Sequence, residues 1–269
     1  MAMSWWRRLV GDALGPAGPR VTGVPPSANG ASSFHLGWVL PDLPADPLTE
    51  ASVTLEVVEP PTVPRLYFWA MQVDLADPAG RRAAGAHLGL QWHPQHPGST
   101  AVNWGGYRTG GGELAGSGSS LPSALRNVNT LDLAWRPGRA YRLTARRVSD
   151  RDDDQHAWRG SVRDLVTGDE VVVRDLFSPG DRIVGVTMWS EVFARCDDPT
   201  TMVRWSDPST RTATGQVLAP LRLSVNYQSD AQGGCANTDS GVDGVGVVQR
   251  TSTARVHRQG VQLPLSSDG

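Results

Sequence analysis

The chain has 269 residues, 25 basic and 27 acidic side chains, and a net charge of −2, so it offers no positive field for tracking a phosphate backbone or an anionic bilayer, and nucleic acid is not an expected partner. Every basic residue is Arg. Chemistry that requires a lysine amine is therefore excluded: the P-loop, the Schiff base, the Ser-Lys dyad and the protein-kinase centre.

The first residues, through Ala31, read as a flexible N-terminal tail. Gly15-Pro16, Gly18-Pro19 and Pro25-Pro26 break any helix that the opening Trp-Arg stretch could start. That opening contains no apolar run long enough for a secretory leader or a membrane span, so on the sequence as given a cytoplasmic location is expected, and a secreted one if a leader was removed. In a reducing compartment Cys196 and Cys235 would be thiols; in an oxidising one they could pair.

From residue 32 to 269 the pattern fits one β domain. Thirty Gly and twenty Pro are spread along the whole chain, as many short strands with tight turns require. Runs at 33–40, 52–58, 65–74, 86–93, 101–107, 130–135, 140–148, 157–165, 169–176, 183–193, 202–206, 216–227, 245–250, 255–258 and 261–265 alternate or are short and apolar. No stretch between them carries the 3.6-residue periodicity that a crossover helix between parallel strands needs. The expected fold is all-β, an antiparallel two-sheet jelly-roll sandwich. Between the fifth and sixth runs, 105–120 is rich in Gly and Ser and reads as a long mobile loop that could cover a binding face.

Alternation assigns faces. Leu88, Leu90 and Trp92 oppose His87, Gly89 and Gln91, and Tyr141, Leu143 and Ala145 oppose Arg142, Thr144 and Arg146. The apolar run 183–189 suggests a central strand covered on both sides.

An ordered set of motifs runs through the middle of the chain: Tyr67-Phe68-Trp69 with Gln72, Gly89-Leu90-Gln91, Trp135 and Gly138 leading into Tyr141-Arg142-Leu143, Trp158-x-Gly160, and Trp189-x-Glu191-x-Phe193. This set, over about 65–193, resembles a bacterial family of uncharacterised domains. The resemblance implies a concanavalin A-like, lectin-type fold and no established activity.

Ten Trp stand against four Phe and four Tyr. Most are expected in the core, with a few at a binding surface where an indole face can stack on a sugar ring. Trp69, Gln72, Gln91, Asn103, Arg142, Arg146 and Glu191 are the candidate ligand-binding residues, since amides, guanidinium and carboxylate can hydrogen-bond a polyhydroxylated ligand. A glycan is thus the expected partner of a non-catalytic lectin-like module. The alternatives are a polysaccharide hydrolase or lyase on the same fold and a structural domain without a small ligand. No strand carries two carboxylates on one face, so Glu191, between aromatic neighbours that would raise its pKa, is the single catalytic candidate.

No cofactor is expected. Asp150, Asp152 and Asp154 would be the oxygen ligands if Ca²⁺ bound, but their spacing departs from the EF-hand pattern, and Asn237, Asp239 and Asp243 form a second weak cluster. His93-Pro94-Gln95-His96-Pro97 reads as a rigid turn and not a metal site. No GxSxG elbow supports a serine nucleophile.

Overall fold

The computed structural model describes residues 23–42, 46–151 and 154–265. Its strands are β1 Ser32–Val39, β2 Leu48–Glu59, β3 Tyr67–Ala76, β4 Arg82–Trp92, β5 Thr100–Arg108, β6 Thr130–Asp132, β7 Ala140–Asp150, β8 His156–Asp164, β9 Glu170–Ser178, β10 Arg182–Val192, β11 Met202–Thr212, β12 Val217–Leu218, β13 Arg222–Tyr227, β14 Asp239–Val242, β15 Val247–Arg250 and β16 Gln262–Leu263. Among the described residues the helical turns are Pro97–Ser99 and Asp230–Gln232, and no helix is long and apolar enough to cross a membrane.

All the ladders are antiparallel and separate into two layers. The front sheet runs β16-β13-β1-β10-β3-β4-β5-β6. The back sheet runs β14-β15-β11-β2-β7-β8-β9, with β12 on the edge of β11. The two are joined by one bridging pair, Ile183 with Leu48. The apolar run at 183–189 lies in β10, flanked by β1 and β3.

Period-two alternation fills the space between the layers. Tyr67, Trp69, Met71, Val73 and Leu75 of β3 and Leu88 and Leu90 of β4 point inward. They meet Val53, Leu55 and Val57 of β2 and Leu143 of β7 in one continuous core. Trp38, Trp69, Trp104, Trp135, Trp158 and Trp205 belong to that core. Trp104 fits because β8 places Gly160 beneath it: a Cβ there would lie 2.6 Å from the indole. A polar network centred on Gln249 crosses between the layers. Gln249 on β15 accepts from Ser190 Oγ at 2.9 Å and Trp205 Nε1 at 3.0 Å, and donates to the Phe34 carbonyl at 2.9 Å. With all these groups paired, burial of the amide carries no unsatisfied-donor penalty.

Several local expectations are corrected. The run 216–227 is two strands, interrupted at Ala219–Leu221, where Pro220 has no N–H to give a ladder. Residues 255–258 form no strand; Arg255 turns its guanidinium onto the Tyr227 ring, 3.8 Å from the centroid, and donates to the Thr238 carbonyl. Strand β14, in the Gly-rich 239–242 segment, has no apolar alternation to announce it. Gly105, Gly106 and Tyr107 belong to β5 and not to a loop, and the residues after them are tied down where Gly116 bridges Leu176 and Ser117 N–H donates to the Asp175 carbonyl.

Candidate functional site

The outer face of the front sheet carries the polar groups that the inner face rejects. Because β10, β3, β4, β5 and β6 are in register, Glu191, Phe68, Gln91, Ala101 and Asp132 form one cross-strand row. Ser33 of β1 extends it on the other side of Glu191. The next row holds His35, Trp189, Ala70, Gly89, Asn103 and Thr130, and the one after it Thr187, Gln72, His87 and Gly105. Side chains in one row project to the same side, so Gln72, Gln91, Asn103 and Glu191 share a surface.

Most side chains on that surface are nearly buried. Phe68 and Gln91 are each 5% exposed, Gln72 and Trp189 4%, and Ala70 0%. Phe68, Ala70 and Trp189 make a small apolar cluster apart from the main core. Its rings meet edge to face: Phe68 and Trp189 at 4.8 Å, with His87 at 5.7 Å and 5.9 Å from them, and the exposed Tyr107 at 6.2 Å from His87. Between the larger residues the floor is Ala70, Gly89 and Gly105, which have little or no side chain. Gly89 is obligatory, since a Cβ there would lie 2.0 Å from the Trp69 carbonyl oxygen.

Electrostatics follow from this burial. Desolvation pushes the Glu191 carboxyl up to about 7, partly opposed by a hydrogen bond from Asn29 Nδ2 at 2.8 Å. His87 is pulled down to about 4 by desolvation alone, and His35 to about 4 by desolvation against a hydrogen bond with the Asn226 backbone. Both imidazoles are therefore neutral at neutral pH. Tyr107 is raised by desolvation and then by the Glu113 and Glu191 carboxylates. Gln91 Oε1, Asn103 Oδ1 and Trp189 Nε1 are buried on this face without a hydrogen-bond partner. Three such orphans together are a cost that a bound group or ordered water would remove.

The other candidates are dispersed. Trp69 points into the core, because alternation along β3 sends it opposite to Phe68. Arg142 and Arg146 lie on β7, on the outer face of the back sheet. Arg142 donates there to Ser52 Oγ at 2.6 Å and Ser209 Oγ at 2.7 Å, and to the Asp207 carbonyl, clasping the irregular ladder between β2 and β11.

In the acidic loop the described carboxylates are Asp150 and Asp154. Asp150 is engaged by Arg147 and by His156 Nδ1 at 2.8 Å, which holds its carboxyl below the usual range. Asp154 is exposed, and Asp152 lies outside the described residues. Asp239 and Asp243 are engaged by His257 and Arg204, and Asn237 donates Nδ2–H to the Cys196 carbonyl. The rings of His93 and His96 stack edge to face at 4.7 Å, and His96 Nδ1 is 2.5 Å from Asp132 Oδ1. No group of three or more His, Cys, Asp or Glu suited to a metal ion occurs among the described residues.

Sequence reasoning missed Asn29, Phe68, His87, Trp189 and Tyr107 as parts of the site. The first four follow from register or long-range contact, and His87 alone carried a signal, as a polar residue in phase with Gln91. The pairing of Cys196 with Cys235, which the sequence leaves open, is present as a disulfide.

No family model matches the chain, and no curated protein matches it. Among solved structures it is similar to Scytalido-glutamic peptidase with a peptide-based transition-state analogue, at 11% identity over 82% of this chain and 98% of that one, TM-score 0.45. The same peptidase with a transition-state analogue inhibitor gives 13% identity, the same coverages and TM-score 0.42. SCP-B, a member of the Eqolisin family of peptidases, in complex with the tripeptide Ala-Ile-His gives 12%, the same coverages and 0.42. At this level the likeness carries no argument about chemistry, and the functional reading rests on the site itself.

Proposed function

We propose that the outer face of the front sheet is the active centre of a hydrolase that cleaves an acyl bond, with Glu191 as the acid–base group and the Gln91 carboxamide as the group that polarises the carbonyl. The observation that carries the reading is the row Glu191–Phe68–Gln91. Two strand spacings put the two backbones about 10 Å apart with the Phe68 ring between them, so the carbonyl carbon and the water would lie over that ring, between the ends of the two side chains. Ionised Glu191 takes a proton from the water as its oxygen bonds to the carbonyl carbon. The Gln91 Nε2–H donates to the oxygen that becomes negative, and Glu191 returns the proton to the leaving amine or alcohol as the C–N or C–O bond breaks. A carboxyl near pH 7 is suited to both halves of that exchange.

Glycosyl transfer to water fits less well, because it uses two carboxyls about 5–10 Å apart. The other carboxyls on these rows are distant and engaged. Asp132 lies four strands from Glu191, about 19 Å away, and Asp74 sits further along β3, about 20 Å from Phe68. Asp132 is held by His96 and Asp74 by Arg82 and Gln72.

A second reading keeps the face as a non-catalytic site for a glycan or other polyhydroxylated ligand. It is favoured by the unpartnered acceptors Gln91 Oε1 and Asn103 Oδ1, which suit hydroxyl donors. One experiment separates the two: purified protein is incubated with a peptide and ester library and, in parallel, applied to a glycan array. New amine or hydroxyl ends that vanish in Glu191→Gln protein support the hydrolase. Glycan binding that survives Glu191→Gln but fails in Gln91→Ala protein supports the binder and rejects the hydrolase.

A further inference from the structure

The segment before β1 touches the site through Asn29. Asn29 donates Nδ2–H to Glu191 Oε1 at 2.8 Å and accepts the Ala31 N–H at 3.1 Å. A turn shapes this contact, with Gly30 N–H to the Ser27 carbonyl at 3.0 Å and Gly30 at φ 78°, a conformation that favours glycine. Upstream, Pro25 is buried and Ser27 lies so close to Gly233 that a Cβ on that glycine would come 2.3 Å from the Ser27 nitrogen.

Both half-cystines hold this same segment. Cys196 N–H donates to the Gly23 carbonyl at 2.9 Å, and Cys235 N–H donates to Ser32 Oγ at 2.9 Å. The disulfide joins Cys196, four residues past the end of β10, the strand that carries Glu191, to the connection between β13 and β14. The segment from Gly23 to Ser32 is thus bracketed by the two sulfur-linked residues, with Asn29 inside the bracket.

We propose that residues 23–32 are a strap over the Glu191 carboxyl, with Asn29 as its positioning residue and the Cys196–Cys235 disulfide as its clasp, so that reduction releases Glu191 from Asn29. The reductant is a dithiol: it gives two electrons and two protons to the S–S bond, leaving two thiols on the protein and a disulfide on itself. The consequence for rate rests on the hydrolase reading above, whereas the strap itself does not.

Burial sets the raised pKa of this carboxyl, and the Asn29 hydrogen bond is what opposes it. His35 on β1 and His87 on β4 are neutral above about pH 4. Tyr107 on β5 keeps its proton at neutral pH, and Glu113 in the following loop acts on Tyr107. A hydrogen bond to the ionised form lowers a carboxyl's pKa, so losing it raises that pKa.

The test is a carboxyl ¹³C NMR titration of the full chain, with the Glu191 signal assigned by its loss in Glu191→Gln protein. Asn29→Ala is expected to move the midpoint upward by about one unit. Reduction of wild-type protein with dithiothreitol, verified by the appearance of two titratable thiols, is expected to give the same shift, and reduction of Asn29→Ala protein no further shift. If reduction unfolds the chain, Ser32→Ala, which cuts the Cys235 contact with the disulfide intact, is expected to raise the midpoint. An unmoved midpoint in Asn29→Ala protein, in the reduced folded protein or in Ser32→Ala protein overturns the strap, as do shifts that add. The titration reads Glu191 whether or not any acyl bond is cleaved, so failure of the hydrolase reading is seen separately.

Discussion

Glu191 and Gln91 stand in one cross-strand row of the front sheet, separated by Phe68 on the strand between them. The row places an acid that titrates near neutrality opposite a carboxamide whose Oε1 has no partner, above a floor of alanine and glycine. The ring of Phe68 and the nearby Trp189 keep water from solvating the carboxylate, and that desolvation raises its pKa.

Glu191 makes the protein less stable as pH rises. Its folded pKa, about 7, lies above its ordinary value of 4.5, so between those pH values the folded state holds more protons than the unfolded state. The stability is fully present below pH 4.5 and is lost by the time pH has risen through 7. The loss amounts to roughly 3 kcal/mol. Urea unfolding of Glu191→Gln protein is expected to remove this decline, leaving the variant more stable than wild type at pH 8.

His35 and His87 act in the opposite direction. Their folded pKa values, about 4, lie below the ordinary 6.5, so the unfolded state binds protons first and stability falls as pH drops from 6.5 towards 4. Glu191 offsets part of that slope between 4.5 and 6.5. Unfolding measured at intervals through this window is expected to show a steeper acid loss in Glu191→Gln protein than in wild type, and a shallower one in His87→Gln protein.

The amide between the layers is the most sensitive polar position in the core. Gln249→Leu leaves Trp205 Nε1–H, the Ser190 hydroxyl and the Phe34 carbonyl without their partner. At about 1–3 kcal/mol for each unsatisfied group, and with Ser190 able to rotate elsewhere, the variant is expected to lose about 3 kcal/mol. Equilibrium unfolding in guanidinium chloride at constant slope checks this.

Much of the fold was legible because β-strands write their faces into the sequence. Leu88, Leu90 and Trp92 against His87, Gly89 and Gln91 gave the inner and outer sides of β4 directly. Alternation does not say which sheet a strand joins, and so Arg142 and Arg146 of β7 were grouped with Glu191 although they lie on the opposite outer face. Trp69 was drawn to the site by its residue type, while its phase, the same as that of Met71 and Val73, sends it into the core. Asn29 was invisible, and the Cys196–Cys235 pairing stayed open, for a different reason: each depends on a contact across most of the chain or between two loops, and no local pattern encodes either.

Packing gives a test independent of the site. Trp104 lies against Gly160, where a Cβ would stand 2.6 Å from Cγ and 2.8 Å from Cδ1 of the buried ring. The indole is held at its other edge by Nε1–H to the Trp158 carbonyl at 3.2 Å. Gly160→Ala is therefore expected to cost about 3 kcal/mol by overpacking, read as a lowered midpoint in thermal unfolding, and Trp104→Phe in the same background to recover part of it.

The central claim, that the Glu191 carboxyl is the acid–base group of an acyl hydrolase, is tested most directly by the pH dependence of kcat/KM on a peptide substrate cleaved by the wild-type protein. Cleavage is expected to fall as pH drops below about 7 and to be absent in Glu191→Gln protein that remains folded. Cleavage retained in Glu191→Gln protein, or a wild-type profile without an inflection near 7, would contradict it.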